Sequence, residues 1–271
     1  MNYMLITNDP ALATHAELYG VGRIFVDLEI LGKQKRQGHL DTLISSHNIQ
    51  DVSNIKHTLT SAELLVRVNP LHVGTKKEVD QVIEAGADIL MLPMFQNGKE
   101  LDSFMSIVDG RLPVVPLFET IGAIQDVEVI VSRNDIDEVY IGLNDLHLDM
   151  GLAFLFEPLA NGLLDELSAT FHKAGVRFGF GGIARVGEGI IPGEMVLGEH
   201  IRLGSSNVIL SRTFHRKSES VEDFTLNLDL KEELGKLVEA ESVLINRTEN
   251  ATRNDYLRMQ SVVNGYVHRN V

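Results

Sequence analysis

Glu119 and Asp145 are the acids whose setting most invites chemistry. Each follows an apolar run, Val114-Val-Pro-Leu-Phe-Glu119 and Val139-Tyr-Ile-Gly-Leu-Asn144-Asp145. Buried runs rarely deliver a charge to their ends without a use for it. Adjacent parallel strands lie about 4.8 Å apart, so two terminal carboxylates can hold one hard cation, Mg²⁺ or Mn²⁺, with positions left for water and substrate. The competing structural reading makes both acids helix N-caps, a position that suits Asp and not Glu.

Arg67 sits inside Leu64-Leu-Val-Arg67-Val-Asn69, a hostile place for a cation without a partner. Glu29, at the end of Arg23-Ile-Phe-Val-Asp27-Leu-Glu29, is the expected partner. The pair is either a buried ion pair or a guanidinium oriented for a substrate carboxylate, gripped through two parallel N–H···O bonds. Asn69 joins the expected substrate-binding set.

A second anion site is expected from Gly181 and Gly182, in Arg177-Phe-Gly179-Phe-Gly181-Gly182-Ile-Ala184, with Ser205 in Leu203-Gly204-Ser205-Ser206. Glycines let backbone N–H groups approach a phosphate or carboxylate; turn geometry is the plain alternative. Gly179, Gly181 and Ala184 also fit G-x-G-x-x-A, but so late in the chain that dinucleotide binding is not expected. Lys33-Gln-Lys35-Arg36-Gln-Gly-His39 is the compact basic cluster, either a solvated loop or a cationic loop over an anionic substrate. His147, two residues past Asp145, and His39 are candidate proton-transfer groups; His47 and His72 read as surface residues.

Strands must deliver these residues to one place. Strand candidates are Tyr3–Thr7, Arg23–Asp27, Leu64–Val68, Ile89–Leu92, Leu112–Leu117, Glu138–Ile141, Arg177–Phe180 and His200–Leu203. Most are continuous apolar runs, as in strands covered on both faces. Amphipathic stretches separate them, such as Thr75–Ala87 with Val79, Val82 and Ile83 on one face, Asn97–Val108, and Leu159–Ala174. Alternation of this kind predicts an α/β (β/α)₈ TIM barrel over 1–215, with an open doubly wound sheet as the alternative. Residues 216–271 read as a C-terminal helical extension with Leu230, Leu234, Leu237, Val238 and Ile245 on one face, packed on the barrel or a neighbouring subunit.

The 271 residues carry a formal charge of −14, which disfavours nucleic-acid binding. No apolar run is long enough for a membrane span, and an acid at Asp9 without a basic n-region is not expected of a signal peptide. Zero cysteines exclude disulfide and thiolate chemistry and are compatible with a cytoplasmic location.

Asp27-Leu-Glu29, Arg67-Val-Asn69, Gly86-Ala-Asp-Ile-Leu-Met-Leu-Pro93-Met94, Glu119-Thr120 and Ile141-Gly-Leu-Asn-Asp145-Leu-His-Leu-Asp-Met-Gly151 occur in the order and spacing of a known family. Over about residues 20–155 the chain resembles the HpcH/HpaI aldolase and citrate lyase β-subunit family of phosphoenolpyruvate/pyruvate barrels. The resemblance implies that Glu119 and Asp145 hold Mg²⁺ or Mn²⁺ and that Arg67 binds the carboxylate of a 2-oxo acid. It also implies a metal-dependent carbon–carbon lyase working through a pyruvate enolate, in a homo-oligomer. Aldolases of that family carry a histidine directly after the Glu matching Glu29, and here that position is Ile30. His39, His147 or a water on the metal is left for acid/base work. Alternatives are a citrate-lyase-like acyl-CoA lyase, a phosphoenolpyruvate-using transferase or mutase, and a non-catalytic binding barrel. The expected partner throughout is a small anionic substrate, a 2-oxo acid that is free, phosphorylated or CoA-linked.

Overall fold

The computed structural model describes residues 1–33, 47–214 and 229–270. Eight parallel strands close into a barrel in chain order: β1 Asn2–Ile6, β2 Arg23–Asp27, β3 Glu63–Arg67, β4 Ile89–Leu92, β5 Val114–Phe118, β6 Glu138–Ile141, β7 Arg177–Ile183 and β8 Asn207–Leu210. The continuous apolar runs have their expected cause, since alternate residues are buried on opposite faces. Ile24 and Val26 join the large core between sheet and helices, whereas Phe25 joins Met4, Leu65, Met91, Val115, Leu117 and Tyr140 in a second cluster of buried side chains. A barrel of eight strands is just wide enough to be filled this way.

Seven of the eight expected strands form; the eighth does not. His200–Leu203 is the last turn of a helix, Gly193–Leu203, which stops at Gly204 in the left-handed region (φ 72°). The eighth strand is the next apolar run, Asn207–Leu210. Periodicity cannot tell a four-residue buried strand from the end of a buried helix. The consequence for the site is direct: Ser205 precedes its strand and lies at the opposite end of the barrel from the strand C-termini.

That opposite end is locked by charge. Arg23 is 3% exposed and donates to Glu138 at 2.6 Å and to Glu63 at 2.8 Å, joining the starts of three strands. Among the described residues, the C-terminal part forms two helices, Leu230–Ile245 and Glu249–Asn270, packed on helix Gly193–Leu203. Leu230, Leu234 and Leu237 are buried, but Val238 and Ile245 are 56% and 60% exposed, so the expected five-residue face is narrower than its spacing suggested. No helix among the described residues is long and apolar enough to cross a membrane.

Candidate active site

The strand C-termini bring Asp27, Glu29, Arg67 and Glu119 together. Arg67 ends β3 beside Asp27, its Cα partner on β2. Its Nε and Nη2 both donate to the Asp27 carboxylate at 2.8 Å, a two-pronged clamp. Its Nη1 lies 3.4 Å from Glu29 Oε2 and 3.8 Å from Glu119 Oε1. The dominant partner is therefore Asp27, with Glu29 secondary. In a strand, residues two apart project to the same face, so both acids reach Arg67, but the parallel register sets Asp27, and not the expected Glu29, directly beside it.

Lys33, the first residue of the basic cluster, is the second cation. It is 3% exposed, with Nζ 2.6 Å from Asp27 Oδ2 and 3.8 Å from Glu29 Oε2. Burial by itself raises the pKa of Asp27, but the charges and hydrogen bonds of Arg67 and then Lys33 hold it well below the usual carboxylate range. Burial likewise opposes the charge on Arg67, and Asp27, Glu29 and Glu119 more than restore it. The remaining residues of the basic cluster, His39 included, lie outside the described residues.

Glu119 follows β5 directly and is 2% exposed. Its Oε2 accepts from the Met94 N–H at 3.3 Å, and Met94 takes the left-handed backbone (φ 55°) that a methionine rarely adopts. Glu119 lies across Gly142, the first residue after β6: a Cβ there would sit 2.5 Å from Glu119 Oε1. Asp145 is three residues further on, in the first turn of helix Leu143–Asp149, and is 4% exposed. Neither acid is a helix N-cap. Thr120 caps the helix after β5 through its side chain, and Gly142 occupies the cap position after β6. The donors fit a hard divalent cation in kind, one buried carboxylate directly after β5 and another in the first turn of the helix after β6, with a glycine making room for the first. Among the described residues no group of three or more His, Cys, Asp or Glu side chains is arranged to hold a metal.

Other candidates fall elsewhere. Asn69 accepts from the Ile30 and Leu31 N–H groups, both at 2.9 Å, and donates to Glu78 at 2.7 Å, so its amide braces the loop after β2. His147 is buried, with Nδ1 3.2 Å from the Leu143 carbonyl of its own helix. Gly181 and Gly182 lie in the last part of β7, where Gly181 O accepts from the Tyr140 hydroxyl at 2.7 Å. Gly179 is glycine because a Cβ would fall 2.4 Å from the Tyr140 ring. Room for a tyrosine thus accounts for part of this glycine run. Ser205 Oγ pairs with His200 Nδ1 at 2.8 Å and shares no site with Gly181 and Gly182.

The model of the family described as HpcH/HpaI aldolase/citrate lyase matches residues 3–155. Comparison with curated protein sequences gives no match. Among solved structures, an HpcH/HpaI aldolase from Desulfitobacterium hafniense DCB-2 is similar at a TM-score of 0.60 and 14% identity, over 84% of this chain and 93% of the other. An HpcH/HpaI aldolase/citrate lyase family protein from Burkholderia cenocepacia J2315 gives 0.60 and 15% over 88% and 94%; the citrate synthase SbnG gives 0.59 and 11% over 83% and 92%.

Proposed function

The chain belongs to the HpcH/HpaI aldolase/citrate lyase family, and we propose that it is a divalent-metal-dependent carbon–carbon lyase acting on a 2-oxo acid through a pyruvate-type enolate. The observation that carries this reading is the position of Arg67 Nη1, 3.8 Å from Glu119 Oε1 on the rim formed by the strand C-termini. An anion-binding group thus stands beside one of the two carboxylates suited to a cation.

Asp27, itself paired with Lys33, holds Arg67 in one orientation, so the guanidinium meets a substrate carboxylate without first losing rotamer freedom. With the Nε edge engaged by Asp27, the Nη1 side is the one offered to the substrate. Mg²⁺ or Mn²⁺ between Glu119 and Asp145 would supply a Lewis acid for the 2-oxo group. Arg67 adds fixed positive charge where the enolate's negative charge develops. Cleavage and condensation share that enolate, and both fall within the proposal. Ile30 is 59% exposed and brings only hydrocarbon to the loop after Glu29, so proton transfer falls to other groups. The same reading places the enzyme in the cytoplasm as a homo-oligomer acting on a small anionic substrate.

A thermal-shift titration tests the metal half. Mg²⁺ or Mn²⁺ should raise the Tm of the wild type, and Glu119→Gln with Asp145→Asn should remove the response. A wild type indifferent to both ions would overturn it.

A further inference from the structure

His47 lies twenty positions after Asp27 in the chain, yet its imidazole seats on the Asp27 backbone: Nδ1 accepts from the Asp27 N–H at 3.0 Å. The sheet explains why this N–H needs a side-chain partner. The β1–β2 register ends at Ile6 opposite Phe25, so on that side Asp27 runs past its neighbour's last paired residue. A buried N–H without a strand carbonyl requires another acceptor, and the imidazole supplies it.

This bond fixes the ring's proton. A nitrogen that accepts from an amide N–H carries no hydrogen of its own, so the neutral ring is protonated at Nε2. Nε2 makes no hydrogen bond to any described residue, and His47 is half-buried. Among the described residues, the charged groups acting on the ring are Asp27, Asp51 and Lys33. Burial, helped by Lys33, lowers the His47 pKa against the opposing pull of Asp27 and Asp51, which keeps the ring neutral. The same Asp27 clamps Arg67 through its carboxylate. One residue therefore carries the arginine on its side chain and the histidine on its backbone.

We propose that His47 is a tautomer-locked hydrogen-bond donor of the substrate site, offering Nε2–H to an oxygen of the bound anionic substrate. It acts as a donor and not as a base, because Nε2 keeps its proton for as long as Nδ1 accepts from Asp27. This rests on the reading of the Arg67 rim as the substrate site.

Two measurements test it, and the first needs no ligand. In ¹⁵N-labelled wild type at neutral pH, the long-range ¹H–¹⁵N spectrum should show His47 with Nδ1 unprotonated and Nε2 protonated. A ring protonated at Nδ1, alone or with Nε2, overturns the proposal. The second adds Mg²⁺ and oxalate as the anionic probe. Oxalate should shift the His47 Nε2–H and Arg67 side-chain signals together. His47→Asn, whose amide oxygen can still accept from Asp27, should bind oxalate roughly tenfold more weakly, the scale of one lost hydrogen bond. Oxalate that moves Arg67 but leaves Nε2–H unmoved, or binds His47→Asn as tightly as wild type, overturns the donor role alone. Oxalate that moves neither residue overturns the substrate site and the donor role with it.

Discussion

Replacing Asp27 by Asn should destabilise the protein more than replacing any exposed charge. Asp27 is 2% exposed and faces two cations, Arg67 at 2.8 Å and Lys33 at 2.6 Å. Removing one member of a buried charge cluster leaves the others desolvated and uncompensated, at a cost of about 3–5 kcal/mol. For a chain of this size each kcal/mol shifts Tm by about 2–4 °C, so Asp27→Asn should melt roughly 6–20 °C below wild type. The loss must depend on pH. The folded pKa of Asp27 is depressed, so its contribution is whole at neutral pH, above the unfolded value of about 3.9, and disappears as pH falls through the folded value. Urea unfolding from pH 7 downward should show the two curves converging on acidification. A double-mutant cycle sharpens the test: with Lys33→Met also present, the Asp27→Asn loss should shrink by about 1 kcal/mol or more. A loss below about 1 kcal/mol at pH 7, or strict additivity with Lys33→Met, would refute this picture of the cluster.

Gly142→Ala places a methyl 2.5 Å from Glu119 Oε1, so it should weaken the Mn²⁺ thermal shift at least tenfold in midpoint while the fold persists by circular dichroism. Gly179→Ala meets the Tyr140 ring at 2.4 Å and the Asn207 carbonyl at 2.5 Å, and overpacking of this kind should cost about 1–3 kcal/mol in urea unfolding. Glu17 accepts from the N–H groups of Thr60, Ser61 and Ala62, which outweigh its burial and lower its pKa to about 2. Its contribution is present above the unfolded value and lost between about pH 4.5 and 2. Discounted for solvent screening, Glu17→Gln should cost about 1–2 kcal/mol at pH 7 and almost nothing near pH 2, as read from paired melting curves.

The barrel was largely legible because buried parallel strands write themselves as short apolar runs. Glu119 and Arg67 were legible for a related reason, since a charge at the end of such a run stands out against its neighbours. The failures are equally physical. His200–Leu203 and Asn207–Leu210 are both short and apolar, and only the left-handed stop at Gly204 separates the helix from the strand. Asp27 could not be chosen over Glu29 as the arginine's clamp, because strand register is a property of the sheet and not of either segment. His47 carried no local signal at all. The bond it accepts from Asp27, twenty positions earlier, depends on where β1 stops, a feature of the sheet and not of the segment around His47.

Enolate formation at Arg67 beside Glu119 is tested most directly by ¹H NMR of pyruvate methyl protons in D₂O with enzyme and Mg²⁺ or Mn²⁺. Exchange should be rapid with wild type and metal, and lost with chelator, with Arg67→Ala and with Glu119→Gln. No exchange by the metal-loaded wild type, or an unchanged rate in Arg67→Ala, would contradict it.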